Sequence, residues 1–270
     1  MGKINQSMGI TGASGFVGSH LTTMMNARKI AYNVFRGNLL NKKDITSYCK
    51  KYHPEIIIHL AGLVDGNYKQ LFEANVLTTA NLLEIGMKHN LKKIIFASTG
   101  AVYGGAVPKN GAKENDKLKP SNYYGLSKLQ AEECIKYFNL TQGLKYIILR
   151  FSSIYGPGNN KGALYNLNKS IKDHRQVKIY GSGKQTRQLL HVEDACRAIL
   201  LTLNRKTSEI FNVGSVKNYS LIQTVKLLKK KYQFSVKYLP ANNNLMHLRL
   251  DQTKARRILK FVPKYKELII

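Results

Sequence analysis

Apolar residues in the first 150 positions gather into short runs, and between those runs they recur at helical spacing. The runs are 7–11, 32–36, 55–61, 93–98 and 146–151, with Glu-Ile-Ile-Ile-His-Leu-Ala at 55–61 the plainest. Unbroken apolar runs of this length read as strands buried on both faces. Helical patterns fill the intervals to about residue 29, then 45–52, 71–89 and 124–140. Short buried strands alternating with helices predict an α/β doubly wound parallel sheet, whose ligands sit beyond the carboxyl ends of the strands. Gly62, Ser98, Thr99 and Ser152 all fall at such ends.

After Phe151 the pattern loosens. Gly156-Pro157-Gly158 and Gly181-Ser182-Gly183 interrupt the chain, and 221–232 has an amphipathic helical period. The expected division is a dinucleotide-binding domain over 1–152 and a smaller α/β substrate lobe over 153–270, with a segment near 189–204 packing back on the first domain. No internal repeat or low-complexity stretch appears.

Composition narrows the class. At 270 residues the chain can bury a full core. No apolar run approaches the roughly 20 residues that span a bilayer. The first residues, Met-Gly-Lys-Ile-Asn-Gln-Ser, carry no signal-peptide apolar region. Three widely separated cysteines, Cys49, Cys134 and Cys196, indicate neither a disulfide framework nor a zinc site, so a cytoplasmic setting is expected. The net charge of +28 would draw phosphorylated ligands. Lysines are spread evenly apart from Lys229-Lys230-Lys231, which reads as a solvated basic surface and not as a nucleic-acid stripe. Contact of 221–231 with an anionic membrane is the weaker alternative. The seven histidines show no metal-ligand spacing, and His59 and His191 read as packed structural residues.

The candidate chemistry begins at Gly12-Ala-Ser14-Gly15-Phe16-Val17-Gly18, between the first strand and the first helix. Glycines there let the backbone approach a pyrophosphate, and a helix N-terminus offers it unpaired N–H groups. Tyr124 and Lys128 stand one helical turn apart. A phenol with pKa near 10 is a poor acid or base at neutral pH. A neighbouring ammonium would move it toward working range. At the end of the second strand an acidic residue would select NAD; this chain has Arg36, which suits a 2′-phosphate, and Ser14 would add a hydroxyl donor. NADP(H) is therefore the expected cofactor, with NAD(H) the alternative.

Further motifs run along the chain: His59-Leu60-Ala61-Gly62, Asn75 in Ala-Asn-Val, Ser98-Thr99-Gly-Ala-Val-Tyr-Gly104, Tyr124-Gly-Leu-Ser-Lys128, and Arg150-Phe151. Tyr155-Gly-Pro-Gly158, Gly181-Ser-Gly-Lys-Gln-Thr-Arg187, His191-Val-Glu-Asp194, Phe211-Asn-Val-Gly214 and Leu250-Asp-Gln-Thr-Lys254 follow. In this order and spacing the chain resembles the extended short-chain dehydrogenase/reductase family, in its nucleotide-sugar epimerase, dehydratase and reductase branch, whose fold is of Rossmann type.

The resemblance implies that Tyr124 passes a proton to or from a sugar hydroxyl, that Lys128 holds the nicotinamide ribose, and that Thr99 hydrogen-bonds the reacting oxygen, with Ser98 able to share that role. It implies cofactor contacts from the glycine loop, Asp44-Ile45 at the adenine, Leu60, Ala61, Gly62, Asn75 and Phe151. For the substrate, a nucleotide-diphosphate sugar, it implies Ser153 and Arg187 near the phosphates. Ser153 replaces the Asn of many relatives. A second phosphate-binding arginine is missing from 240–244, so either Arg249 replaces it or the clamp differs. The acidic residues that dehydratases and decarboxylases place after the hydroxyl residue are here Gly100 and Ala101, which disfavours those reactions. Family members also pair as homodimers through two helices per subunit, here 71–89 and 124–140. The expected function is NADPH-dependent reduction of a 4-keto-6-deoxy nucleotide sugar for polysaccharide or deoxysugar synthesis. A 4-epimerase with retained NAD is the alternative, and a non-catalytic cofactor-sensing or RNA-binding relative a minor one.

Overall fold

Six parallel strands form the central sheet, and each strand is followed by a segment that crosses back over one of its faces. In the computed structural model the described residues are 6–105, 107–108, 110–240 and 247–269. The strands are β1 (Met8–Thr11), β2 (Asn33–Val34), β3 (Ile56–His59), β4 (Lys93–Thr99), β5 (Lys145–Phe151) and β9 (Glu209–Val213). They stand in the order β2-β1-β3-β4-β5-β9. Helices α1 (Phe16–Ala27), α2 (Lys42–Tyr52), α4 (Thr78–Lys88), α5 (Tyr123–Gln142) and α7 (Val192–Leu201) cover its two faces. Ile56, Ile57 and Ile58 are buried on both sides, split between two apolar cores. One core is roofed by α1 and α7, the other by α2, α4 and α5. A strand without polar alternation needs this double cover, because either bare face would leave isoleucine in water.

The chain steps from β1 to β2 on one side and then returns to β3 on the other. The crevice between the ends of β1 and β3 is thus the switch point where doubly wound sheets take their ligands. One expected helix differs from its sequence reading. The stretch 71–89 is divided into α3 (Tyr68–Leu71), a π turn over Phe72–Leu77, and α4.

The remaining elements build two small sheets. β6 (Ser153–Tyr155), β8 (Thr186–His191) and β10 (Asn218–Ser220) form one, and β7 (Gln176–Tyr180) pairs with β11 (Ser235–Leu239) in the other. α6 (Ala163–His174) and α8 (Leu221–Lys229) pack on the β7–β11 pair around Val177, Ile179 and Leu228. A short α9 (Thr253–Leu259) then sends Ala255 and Leu259 into the core beneath α7. Among the described residues, no helix is long and apolar enough to cross a membrane.

Candidate active site

The glycine loop turns directly out of β1. Gly12 has φ +72°, and a Cβ there would lie 2.5 Å from the Ala61 nitrogen, so only glycine allows the loop and the end of β3 to touch. Gly15 N–H donates to Gly12 O at 3.1 Å, and Gly15 caps α1 without a side-chain acceptor. The first N–H groups of α1 therefore face the crevice without a capping side chain, as an anionic ligand requires. A cavity of about 640 Å³ opens there, lined by Gly12, Ser14, Ala61, Arg36 and Leu39 among others. Sequence reasoning placed Gly12, Ser14, Arg36 and Ala61 on it but missed Thr22, Tyr32, Val34 and Phe35. Thr22 follows Gly18 by one helical turn, so the spacing did carry that signal.

Behind the cavity a hydrogen-bonded chain holds the strand ends in place. Thr79 donates its hydroxyl to Asn75 O at 2.6 Å, so it accepts from His59 Nε2–H at 3.0 Å. His59 Nδ1 in turn accepts the Thr11 hydroxyl at 2.6 Å. This is a neutral imidazole, and burial together with the nearby Lys128 holds its pKa down at about 3. Asn75, on the π turn, donates to Leu63 O and Ser127 Oγ at 2.9 Å each and accepts Leu63 N–H. Its amide thus clamps the loop after β3 and leaves no donor over. Asp44 is similarly engaged, accepting Asn38 N–H and the Asn41 amide at 2.8 Å each, and it shapes the loop that carries Leu39. Ile45 and Phe151 are core residues, so their side chains support the site from behind, and Leu60 packs partly against the same core.

The second half of the site lies between β4 and α5. Asn122 caps α5 by accepting Gly125 N–H at 2.8 Å, which aligns Tyr124 and Lys128 along the strand ends. Tyr124 is half-buried, and its hydroxyl is hydrogen-bonded to Thr99. Burial pushes the phenol up to about 12, and the Thr99 bond works against that rise. Thr99 Oγ1 is itself positioned by accepting Ala101 N–H at 3.1 Å. Lys128 Nζ donates to Ala97 O at 2.9 Å and lies 4.5 Å from the Phe96 ring centre. Burial lowers it to about 8, with Glu132 acting in the opposite direction. The expectation that Lys128 directly lowers the phenol is not what sets its acidity here; desolvation dominates for both groups.

Ser98 cannot share the Thr99 role. Its hydroxyl donates to the buried Glu132 Oε1, two turns along α5 from Tyr124. Glu132 is fully buried and paired with Arg150 at 2.7 Å, and Arg150 Nη1 also donates to Tyr103 Oη at 2.8 Å. Tyr103 therefore packs beneath the loop and donates to Asn212 Oδ1. Gly100 is closely packed: a Cβ there would meet methyls of Leu248 and Leu250 at 3.0 and 3.1 Å, so a side chain would require those leucines to shift. Among the described residues no group of His, Cys, Asp and Glu could hold a metal ion.

Ser153 and Arg187 stand apart from this cluster, on β6 and β8 of the three-stranded sheet. The Arg187 guanidinium is half-buried, has no ion pair among the described residues, and is pulled down from its ordinary range by burial. The segment 240–244, expected to lack a second phosphate-binding arginine, lies outside the described residues beyond Pro240.

The sequence model of the NAD dependent epimerase/dehydratase family matches residues 8–214. A putative UDP-glucose 4-epimerase of Methanocaldococcus jannaschii is 31% identical, with 92% of this chain and 91% of that protein covered. The crystal structure of UDP-glucose 4-epimerase from Thermotoga maritima with UDP-glucose superposes at a TM-score of 0.89, with 26% identity and coverage of 96% and 94%. MoeE5, solved in complex with UDP-glucose and NAD, superposes at 0.85 with 27% identity and coverage of 96% and 93%.

Proposed function

Because the chain belongs to the NAD dependent epimerase/dehydratase family, we propose that it is a nucleotide-sugar 4-epimerase. The observation that carries the reading is the Thr99–Tyr124 hydroxyl pair beside Lys128, with no carboxylate after Thr99. A bound nicotinamide supplies hydride transfer at one sugar carbon. The glycine loop and the open N-terminus of α1 fit its pyrophosphate, the Arg36 cavity its adenosine end, and Lys128 its second ribose. Tyr124 Oη takes the proton of the sugar hydroxyl as that carbon becomes a carbonyl, and returns it when the alcohol re-forms. Thr99 holds the reacting oxygen, and its hydrogen bond favours the phenolate against the effect of burial. Arg187 and Ser153 bind the diphosphate. Elimination of water would need an acid where Gly100 stands, and the chain has none there.

The reductase reading rests on Arg36 and on the short link from Arg36 to Asp44. Both features bear on the adenosine end of the cofactor and not on what happens at the sugar carbon. Arg36 does favour a 2′-phosphate, so NADP(H) is the preferred cofactor, with NAD(H) the alternative that an epimerase retaining NAD would use; Arg36→Asp is expected to shift preference toward NAD, measured by cofactor titration. Two copies are proposed to pair through the apolar surface of Val76, Leu126, Leu129 and Tyr137. The deciding experiment denatures purified protein to look for released cofactor, then incubates native protein with UDP-glucose and no added cofactor. Retained dinucleotide and conversion to the C4 epimer are expected. Cofactor-free protein that turns over only 4-keto sugars with NADPH would establish the reductase instead.

A further inference from the structure

The sheet carrying Ser153 and Arg187 is covered on that same face by a later part of the chain. Tyr219 of β10 lies directly opposite Arg187 of β8, while Ser153 and Tyr155 of β6 pair with Leu189 and His191. Direct partners share a face and alternate residues along a strand return to it. Ser153, Tyr155, Arg187, His191 and Tyr219 therefore project from one side.

Residues 264–269, which form neither helix nor strand, run across that side. The segment is anchored at its start, where the N–H groups of Lys264 and Tyr265 donate to the buried carboxylate of Asp194 at 2.8 and 3.0 Å. The Tyr265 ring stacks on His191 with 3.8 Å between centroids, and its hydroxyl donates to Glu193 at 2.7 Å. Further along, Leu268 N–H donates to Tyr219 Oη at 3.1 Å and Ile269 N–H to Tyr155 Oη at 3.2 Å. The tie points thus lie beside Arg187 on β10 and beside Ser153 on β6. Glu267, the one acidic residue of the segment, is taken up by Lys217 and by the Tyr219 hydroxyl. Arg187 is left with neither an anion nor full access to water.

We propose that residues 264–269 are a strap forming the outer wall of the substrate-diphosphate site, and that strap docking and diphosphate binding at Arg187 reinforce one another. The proposal rests on the reading of Arg187 as a phosphate ligand. A guanidinium kept from water attracts an anion far more strongly than a solvated one. The strap excludes that water, and the diphosphate relieves the unpaired charge beneath it. Tyr265, Tyr219 and Tyr155 are positioning residues in this scheme, because they act through the strap.

The chain contains no tryptophan, so Tyr265→Trp places a single indole over His191. Titration with UDP is expected to shift its emission saturably, at the midpoint found by calorimetry on the unaltered protein, and Arg187→Ala in the same background abolishes the shift. In Tyr265→Ala the Kd for UDP rises about tenfold while cofactor affinity is unchanged. Tyr265→Phe, which keeps the ring and removes only the Glu193 bond, gives a smaller rise and guards against misreading a folding defect. UDP binding that needs Arg187 but leaves the indole silent and the Tyr265→Ala affinity unaltered would overturn the strap alone. UDP binding indifferent to Arg187, or none at all, would remove the phosphate reading and the strap with it.

Discussion

A phenol, a threonine hydroxyl and an ammonium meet at the ends of β4 and α5, and each is defined by what surrounds it. Burial makes Tyr124 a weak acid, near 12. Lys128, near 8, is mostly charged at neutral pH and becomes neutral above that value. Tyr124→Phe keeps the ring and removes the proton carrier, so kcat is expected to fall by about 10²–10⁴-fold with cofactor affinity intact, measured by steady-state kinetics and cofactor titration. His59 gives a second residue-level prediction. Its ordinary pKa of 6.5 falls to about 3 in the folded chain, so between those values the unfolded state binds a proton that the native state refuses. Stability is therefore full above pH 6.5 and declines as pH drops toward 3. Tm measured across that window should fall for the parent protein and fall less steeply for His59→Gln. An equal slope in both would show that another group dominates.

At the level of elements, the π turn over Phe72–Leu77 is the clearest place where periodicity alone misread the chain. A single helix over 71–89 fits the apolar spacing. The observed extra residue in the turn aims Asn75 at the backbone of Leu63 and at Ser127, a demand made by two other elements. Lys93 is the counterpart at the opposite end of the sheet. At the start of β4 its buried Nζ donates to the carbonyls of Thr202, Leu203 and Arg205 at 2.7–2.9 Å, closing the end of α7. Burial lowers it to about 8, so it still carries its charge at neutral pH. Lys93→Met would leave three carbonyls unmatched, at a cost of about 3 kcal/mol in denaturant unfolding. Because the site lies at the other ends of the strands, kcat at low temperature should not change. A loss of activity in protein that is still folded would contradict that separation.

On the scale of the whole molecule, the large sheet provides one wall of the proposed site and the small β10-β8-β6 sheet the other. Elements from beyond residue 153 take part in both, since β9 completes the large sheet and α7 roofs one of its cores. An apolar surface on α5 and the π turn remains uncovered, with Tyr137 62% and Leu140 84% exposed. If two copies meet there, Tyr137→Glu buries a carboxylate against apolar side chains and should shift the protein from dimer to monomer in sedimentation, with its circular dichroism spectrum unchanged. A parent protein that sediments as a monomer would dispose of the pairing. Net charge bears on solubility and on the attraction of anions, and not on the fold.

Local pattern was enough for the doubly wound sheet, because strands buried on two faces and helices buried on one leave different apolar periods. It was enough also for the glycine loop and the one-turn spacing of Tyr124 and Lys128, which are contiguous features. Contacts between distant segments left no such trace. Ser98 and Thr99 are neighbours with interchangeable side chains, and only their partners on α5, Glu132 for one and Tyr124 for the other, separate them. The closeness of Leu248 and Leu250 to Gly100, and the crossing of 264–269 over the Arg187 face, depend on residues 49 or more positions apart. Such contacts arise from packing among whole elements, and no spacing within a single stretch encodes them.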